Sequence, residues 1–300
     1  MDSRVKMKRN QKSKERKDEK LIRIAISDEK YEKEAECLAE RIHERYGSPD
    51  DGGISVDIVY NRGEFSLEND EILTMKHDAG ALTLIKGKLS LKPDFLSMLP
   101  RLRQSNLERE YLVKAARIKG IKPEELTVAD ATAGLGEDSL ILAAAGYSVE
   151  MYEHDPIIAA LLRDKLRRAA FVPELAGITA RMSLHEKDSI SALYSCTAPE
   201  PLRGTGAPQK IRPDIILLDP MFPERQKSAS VKKKFQLLHL LENPADDEES
   251  LLKAAFAAAP RKIIIKRPLK GPFLASRKPD YSISGKAVRY DCFINPKDYT

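Results

Sequence analysis

Leu126-Thr-Val-Ala-Asp130-Ala-Thr-Ala-Gly134-Leu-Gly136-Glu-Asp138-Ser-Leu-Ile-Leu-Ala-Ala-Ala145 reads as a short apolar strand, a glycine turn and the start of an apolar helix. An acidic residue closes the strand at Asp130, and two more, Glu137 and Asp138, open the helix. Glycines at 134 and 136 allow a sharp turn and a close approach of backbone to ligand. The helix N-terminus presents N–H groups that have no intrahelical partner. Two phosphate-binding patterns are excluded: Ser139 stands where a dinucleotide fingerprint has its third glycine, and no Gly-Lys-Ser/Thr follows. The carboxylates would also repel a pyrophosphate, whereas they suit a ligand with an ammonium and a positive sulfonium. A tight structural turn without a ligand is the alternative.

Outward from this stretch the chain alternates between strand and helix patterns. Strands are predicted at 126–130, 148–152, 178–183, 214–218 and 261–266, and helices at 137–145, 155–170, 224–241 and 247–258. Such alternation implies an α/β fold with a doubly wound, mostly parallel sheet covered on both faces. The chain then ends in Tyr281-Ser-Ile-Ser, a turn at Gly285-Lys286, and Ala287-Val-Arg-Tyr-Asp-Cys-Phe-Ile294, which reads as an antiparallel β-hairpin. A parallel sheet closed by a hairpin separates the class I methyltransferase (Rossmann-like) architecture from an ordinary dinucleotide domain. Upstream, strands at 21–26, 54–60 and 81–85 and a helix at 29–46 give a small N-terminal α/β accessory region, 21–104. A helix at 105–118 opens the main domain, 105–300. The stretch 197–213, rich in Pro and Gly, reads as a flexible connection.

Residues 1–20 hold nine Lys/Arg against four Asp/Glu and lack apolar periodicity, so they read as a disordered basic tail. Residues 261–300 carry ten bases against three acids, and both segments suit a polyanionic partner or simply a solvated surface. No apolar run is long enough to span a membrane, and the basic opening leads into further charge rather than a secretory signal. Three widely spaced cysteines and five scattered histidines match no metal-ligand pattern. A reducing, cytoplasmic setting, no metal and no membrane association are therefore expected.

Three further elements carry chemistry. Glu153 ends the strand Val149-Glu-Met-Tyr-Glu153, where a carboxylate can accept both hydroxyls of a ribose. Asp155 before Pro156 suits a helix N-cap, and Asp188-Ser189 stands either where such folds meet an adenine ring or as another N-cap. Most informative is Ile215-Ile-Leu-Leu-Asp219-Pro220-Met-Phe222-Pro223. An apolar strand ending in Asp-Pro-x-Phe is similar to the (D/N)PP(Y/F) motif of methyltransferases that act on exocyclic amines. The lone pair of such an amine is delocalised into its ring. The Asp219 carboxylate and the Pro220 carbonyl can hold its two hydrogens and orient the nitrogen, while Phe222 can stack on the base. Lys227, Lys232, Lys233, Lys234, Lys266 and Arg267 could line a phosphate path or be surface residues.

The chain resembles the bacterial 16S ribosomal RNA guanine-N2 methyltransferases of the J type. The resemblance is carried by Asp130-Ala-Thr-Ala-Gly-Leu-Gly-Glu-Asp-Ser139, Tyr152-Glu-His-Asp-Pro156, Leu218-Asp-Pro-Met-Phe-Pro-Glu-Arg-Gln-Lys-Ser-Ala-Ser-Val-Lys-Lys233, Ile263-Ile-Ile-Lys-Arg-Pro268, and Val288-Arg-Tyr-Asp-Cys-Phe-Ile294. It implies S-adenosylmethionine as cofactor, a guanine N2 of the small-subunit RNA as target, and ribosomal RNA or the small ribosomal subunit as partner. Cofactor contacts would fall on Glu137, Asp138, Glu153, His154, Asp188, Ser189 and Asp219, beside Asp130, Gly134 and Gly136. Two departures stand out: Gln104-Ser-Asn-Leu107 replaces a glycine-rich segment, and the basic tail is long. An adenine-N6 methyltransferase and a noncatalytic RNA-binding or ribosome assembly factor on the same scaffold are the competing readings.

Overall fold

The computed structural model describes residues 21–60, 72–78, 80–196, 212–220, 237, 238, 241 and 248–295. The chain divides into two compact units, Met1–Lys92 and Pro93–Thr300. In the first, β1 (Leu21–Ile26) lies between β2 (Ser55–Tyr60) and β3 (Leu73–Asp78), parallel to both. The antiparallel strands β4 (Ala81–Lys86) and β5 (Leu89–Leu91) complete the five-stranded sheet. Helix α1 (Glu32–Tyr46) connects β1 to β2 and buries Ala35, Leu38 and Ile42, one face of a 3.6-residue repeat. Strand β3, absent from the strands predicted above, mixes Thr, Lys and His into its alternation, and Thr74 and His77 are nonetheless buried.

The second unit holds a seven-stranded sheet. Its parallel strands are β6 (Thr127–Asp130), β7 (Ser148–Tyr152), β8 (Met182–His185), β9 (Ile215–Leu218) and β10 (Lys262–Pro268). The hairpin β11 (Tyr281–Ser284) and β12 (Val288–Ile294) closes the sheet, with β12 antiparallel to β10. The spatial order is β11-β12-β10-β9-β6-β7-β8. This is the doubly wound sheet with a terminal antiparallel hairpin that the alternation predicts.

The two-residue period of the central strands divides their side chains between two cores. Val128, Ile215, Leu217 and Ile264 join one core, with Leu112 and Leu140. Ala129, Ile216, Leu218, Ile263 and Ile265 join the other, with Leu252 and Phe256. Central strands apolar on both faces are what a sheet covered by helices on both sides demands. Helices α2 (Gln104–Leu107), α3 (Tyr111–Ala116), α4 (Glu137–Ala144), α5 (Pro156–Ala169), α6 (Pro173–Thr179), α7 (Ser189–Ser195) and α8 (Glu248–Ala257) fill the connections. Phe95, Leu102 and Leu107 pack into the first of these cores.

Two local expectations need correction. The strand expected at 178–183 is the end of α6 followed by β8: Pro173 starts a helix, and the Thr179 hydroxyl donates to the Leu175 carbonyl at 3.1 Å inside it. The helix expected at 105–118 is two short helices. Glu110 between them is extended, and its carboxylate receives the Arg101 guanidinium at 2.5 and 2.8 Å. The expected helix at 224–241 and the connection at 197–213 lie almost wholly outside the described residues.

The glycine turn is fixed from two sides. Gly136 has φ +70°, and a Cβ there would lie 2.8 Å from Leu162 Cδ1. The buried ammonium of Lys165, on α5, donates to the Leu135 carbonyl at 2.9 Å and sits 3.7 Å from the centre of the Phe95 ring. Gly136→Ala is expected to lower the melting temperature by several degrees, since strain and overpacking together cost about 1–3 kcal/mol. Gly177→Ala, inside α6 with no atom within 4 Å of the added methyl, is the control and should be neutral or slightly stabilising. Equal melting of the two variants would refute the packing argument.

Candidate active site

The parallel strands β6 to β10 end on one edge of the sheet. The chain winds from β6 toward β7 and β8 on one side and toward β9 and β10 on the other, so the end of β6 is the topological switch point at which open α/β sheets bind their ligands. Asp130 closes β6 and is buried. Its Oδ2 accepts from the Ser139 hydroxyl at 2.5 Å and its Oδ1 from the Thr132 amide at 3.2 Å. Burial pushes the Asp130 carboxyl up to about 7; the Ser139 bond opposes the shift and the charges of Asp138 and Asp219 add to it. Ser139, legible in the sequence only as a missing glycine, thus serves as the partner of this acid.

Gly134 lies across from the end of β7. Its amide donates to Glu153 Oε2 at 3.0 Å, and the Asp155 amide donates to Glu153 Oε1 at 2.8 Å. Glu153 is buried and ties the glycine turn to the neighbouring strand. A Cβ on Gly134 would meet nothing within 4 Å, so the turn faces open space at that point. His154 is exposed, with Nδ1 3.8 Å from Glu153 Oε1. Asp155 caps α5, accepting the amides of Ile157 and Ile158 at 2.9 Å each. Asp188 caps α7 with both oxygens, taking the Ile190 amide on one and the Ser191 amide and hydroxyl on the other. Ser189 is buried at the start of that helix, while Glu137 is exposed in the first turn of α4.

Asp219 follows β9 directly. Its amide donates to the Thr132 hydroxyl at 2.6 Å, joining the Asp-Pro segment to the glycine turn. Lys266 completes the grouping: its ammonium lies 2.5 Å from Asp138 Oδ2 and 2.8 Å from Asp219 Oδ2. Desolvation pushes the Asp219 carboxyl up although its side chain keeps 38% of its surface accessible; Lys266 opposes this shift and Asp138 reinforces it. Pro220 is buried beside it. Phe222, Lys227, Lys232, Lys233 and Lys234 lie outside the described residues.

The structure thus brings Asp130, Gly134, Asp138, Glu153 and Asp219 to one edge through named bonds, and gives Asp188 a capping role on its own helix. The reading of Lys266 and Arg267 as a phosphate path is corrected. Lys266 is ion-paired within the site, and Arg267 is buried, donating to Glu248 at 3.2 Å and to the Pro272 carbonyl at 3.1 Å. Thr132, and Lys266 in this interior role, are what sequence reasoning missed. For Lys266 a signal exists: it follows Ile263-Ile-Ile265 as Asp219 follows Ile215-Ile-Leu-Leu218, and neighbouring parallel strands bring such positions together. Among the described residues no group of three or more His, Cys, Asp or Glu could hold a metal, and no helix is long and apolar enough to cross a membrane.

A grouping of carboxylates around a glycine turn fits a ligand bearing an ammonium, a sulfonium and ribose hydroxyls. With the strand order, it defines a class I S-adenosylmethionine-dependent methyltransferase. Residues 61–295 match the family model described as "Putative SAM-dependent methyltransferase". The chain is 37% identical over 227 residues to ribosomal RNA small subunit methyltransferase J of Neisseria meningitidis, covering 76% of this chain and 85% of the relative. It is 41% identical over 189 residues to the protein of the same name from Pseudoalteromonas atlantica, covering 62% and 69%. The crystal structure of a SAM-dependent methyltransferase from Neisseria gonorrhoeae superposes with a TM-score of 0.60 at 27% identity, covering 91% of this chain and 96% of that one. The chain belongs to the ribosomal RNA small subunit methyltransferase J family.

The raised carboxyl of Asp130 has a consequence for stability. Relative to the ordinary value of 3.8, its contribution is complete at pH below about 4, falls as pH rises, and is lost above about 7. Asp130→Asn removes this titration. Melting temperatures of the ligand-free protein between pH 4.5 and 8 should therefore fall less steeply in the variant than in the wild type. Parallel curves would show that Asp130 is not the titrating group.

Proposed function

We propose that this chain transfers the methyl group of S-adenosylmethionine to the exocyclic N2 of a guanine in small-subunit ribosomal RNA. The observation that carries this reading is the attachment of Asp219 to the glycine turn through Thr132, which supports a role for its carboxylate in holding the target amine close to the cofactor. The relatives' names, ribosomal RNA small subunit methyltransferase J, support the choice of RNA. Ribosomal RNA or the small ribosomal subunit is then the partner, and the cytoplasm the place of action.

When bound, the cofactor supplies a methyl group on a positively charged sulfur. Glu153, at the end of β7, is the acceptor for the ribose hydroxyls, with His154 at its side. Asp130 and Asp138 set negative charge around the glycine turn at Gly134 and Gly136, with Glu137 at its rim. Asp188 and Ser189 form the adenine end. Asp219 accepts one hydrogen of the guanine amine and the Pro220 carbonyl the other, turning the nitrogen toward the methyl group, a positioning and electrostatic contribution. Phe222 stacks on the base. The bases of segment 1–20 add salt-sensitive attraction to the phosphates.

Purified protein incubated with labelled S-adenosylmethionine and 30S particles or total ribosomal RNA, followed by nucleoside analysis, tests this function. N2-methylguanosine confined to the small-subunit RNA is expected. N6-methyladenosine would keep the enzyme class and overturn the base, and RNA binding with no label would favour a noncatalytic factor. Asp219→Ala should lower the rate by at least about 10²-fold, the scale of losing one positioned polar group, with the fold retained; near wild-type turnover would overturn its role.

A further inference from the structure

Asp138 and Asp219 meet at a single ammonium. Ile265 pairs with Leu218 in parallel register, so the next residue on each strand, Lys266 and Asp219, stand side by side. The first turn of α4 brings Asp138 to the same ammonium. From the other side, β12 places the buried Tyr290 directly opposite Lys266 in antiparallel register. Burial pushes the Tyr290 phenol far up, so it stays neutral. The remaining charges near this cluster have partners of their own: Asp130 with Ser139, Arg101 with Glu110, and Arg267 with Glu248. Among the described residues, Asp219 Oδ2 is bonded to Lys266 and Oδ1 carries no hydrogen bond.

We propose that Lys266 is the positioning residue of the methyl transfer, holding Asp219 by Oδ2 so that Oδ1 is left for the exocyclic amine and cancelling one of the two charges on Asp138 and Asp219. The proposal rests on the function assigned above. In the step itself, the amine lone pair forms the bond to the methyl carbon while the carbon–sulfur bond breaks, its electron pair staying on sulfur. One amine proton then passes to Asp219 Oδ1 and on to solvent. Lys266 neither gives nor takes a proton: partial burial works against its charge, yet the two carboxylates hold the ammonium well above its usual range. Without that cation, like charges at close quarters force one carboxylate to protonate. Asp219, already pushed up by desolvation, would then keep its acceptor form over a narrower range of pH.

Single-turnover methylation between pH 5.5 and 9.5 tests this, comparing wild type with Lys266→Met, Lys266→Arg and Asp138→Asn. Lys266→Met should move the acid limb of the rate up by about one to three pH units, the size of shift that an adjacent cation imposes on a carboxylate. Lys266→Arg should restore the limb, and Asp138→Asn should move it down. A uniform loss of rate with no movement of the limb, or a wild-type profile in Lys266→Met, overturns the proposal.

Melting of the ligand-free proteins over the same range supplies a readout independent of RNA. Lys266→Met should lose stability relative to wild type as pH rises and the two carboxylates ionise together; a constant offset at all pH values also overturns the proposal. If Lys266→Met does not fold, the opposite shifts of Lys266→Gln and Asp138→Asn make the same comparison. Failure of the wild type to methylate guanine would defeat the functional reading, while the melting curves would still decide the role of Lys266.

Discussion

Asp130, Asp138 and Asp219 set three carboxyl groups at the end of a buried parallel sheet, and much of the surrounding chain answers the electrostatic cost of keeping them there. A buried carboxylate is tolerated only with hydrogen bonds or an opposite charge. Asp130 takes the Ser139 hydroxyl and the Thr132 amide, and Asp138 and Asp219 share Lys266. Even so, Asp130 is held near 7, which marks the site as incompletely compensated. Perturbed acids gathered at the open edge of an α/β sheet are the usual mark of a functional site, and here they favour a cationic cofactor over a phosphate.

The scaffold keeps this grouping rigid through the alternation of its central strands. Ile216 and Leu218 face one core and Ile215 and Leu217 the other, so neither face of β9 can shift without disturbing packing on both sides. The ends of β9 and β10 are thereby held in register, which brings Asp219 to Lys266. The glycine turn is pinned separately, by Glu153 at Gly134 and by Lys165 at Leu135. The site is therefore assembled from loops, but each loop is anchored to an element that belongs to the core.

Where local pattern and tertiary context agree, the architecture was legible. The apolar runs at 215–218 and 263–265, the cap at Asp155 and the turn at Gly285 are local signals, and each appears in the structure where the sequence places it. The misreadings fall where a local pattern is ambiguous. Ile178 and Thr179 are β-branched but close a helix begun by Pro173, and the helical pattern across 105–118 is interrupted at Glu110, whose backbone is extended and whose carboxylate pairs with Arg101.

By itself the sequence determined the strand–helix alternation of the second unit, the closing hairpin, the glycine turn with its acids, and the Asp-Pro segment. Those features depend on spacing and residue type, which are written in one dimension. Only the tertiary structure decided that Ser139 serves Asp130, that Thr132 anchors Asp219, and that Lys266 is an interior ion-pair partner rather than a surface cation. Each of those pairings is between residues brought together by strand order and register, and a lysine looks the same in a sequence whether water or two carboxylates surround it.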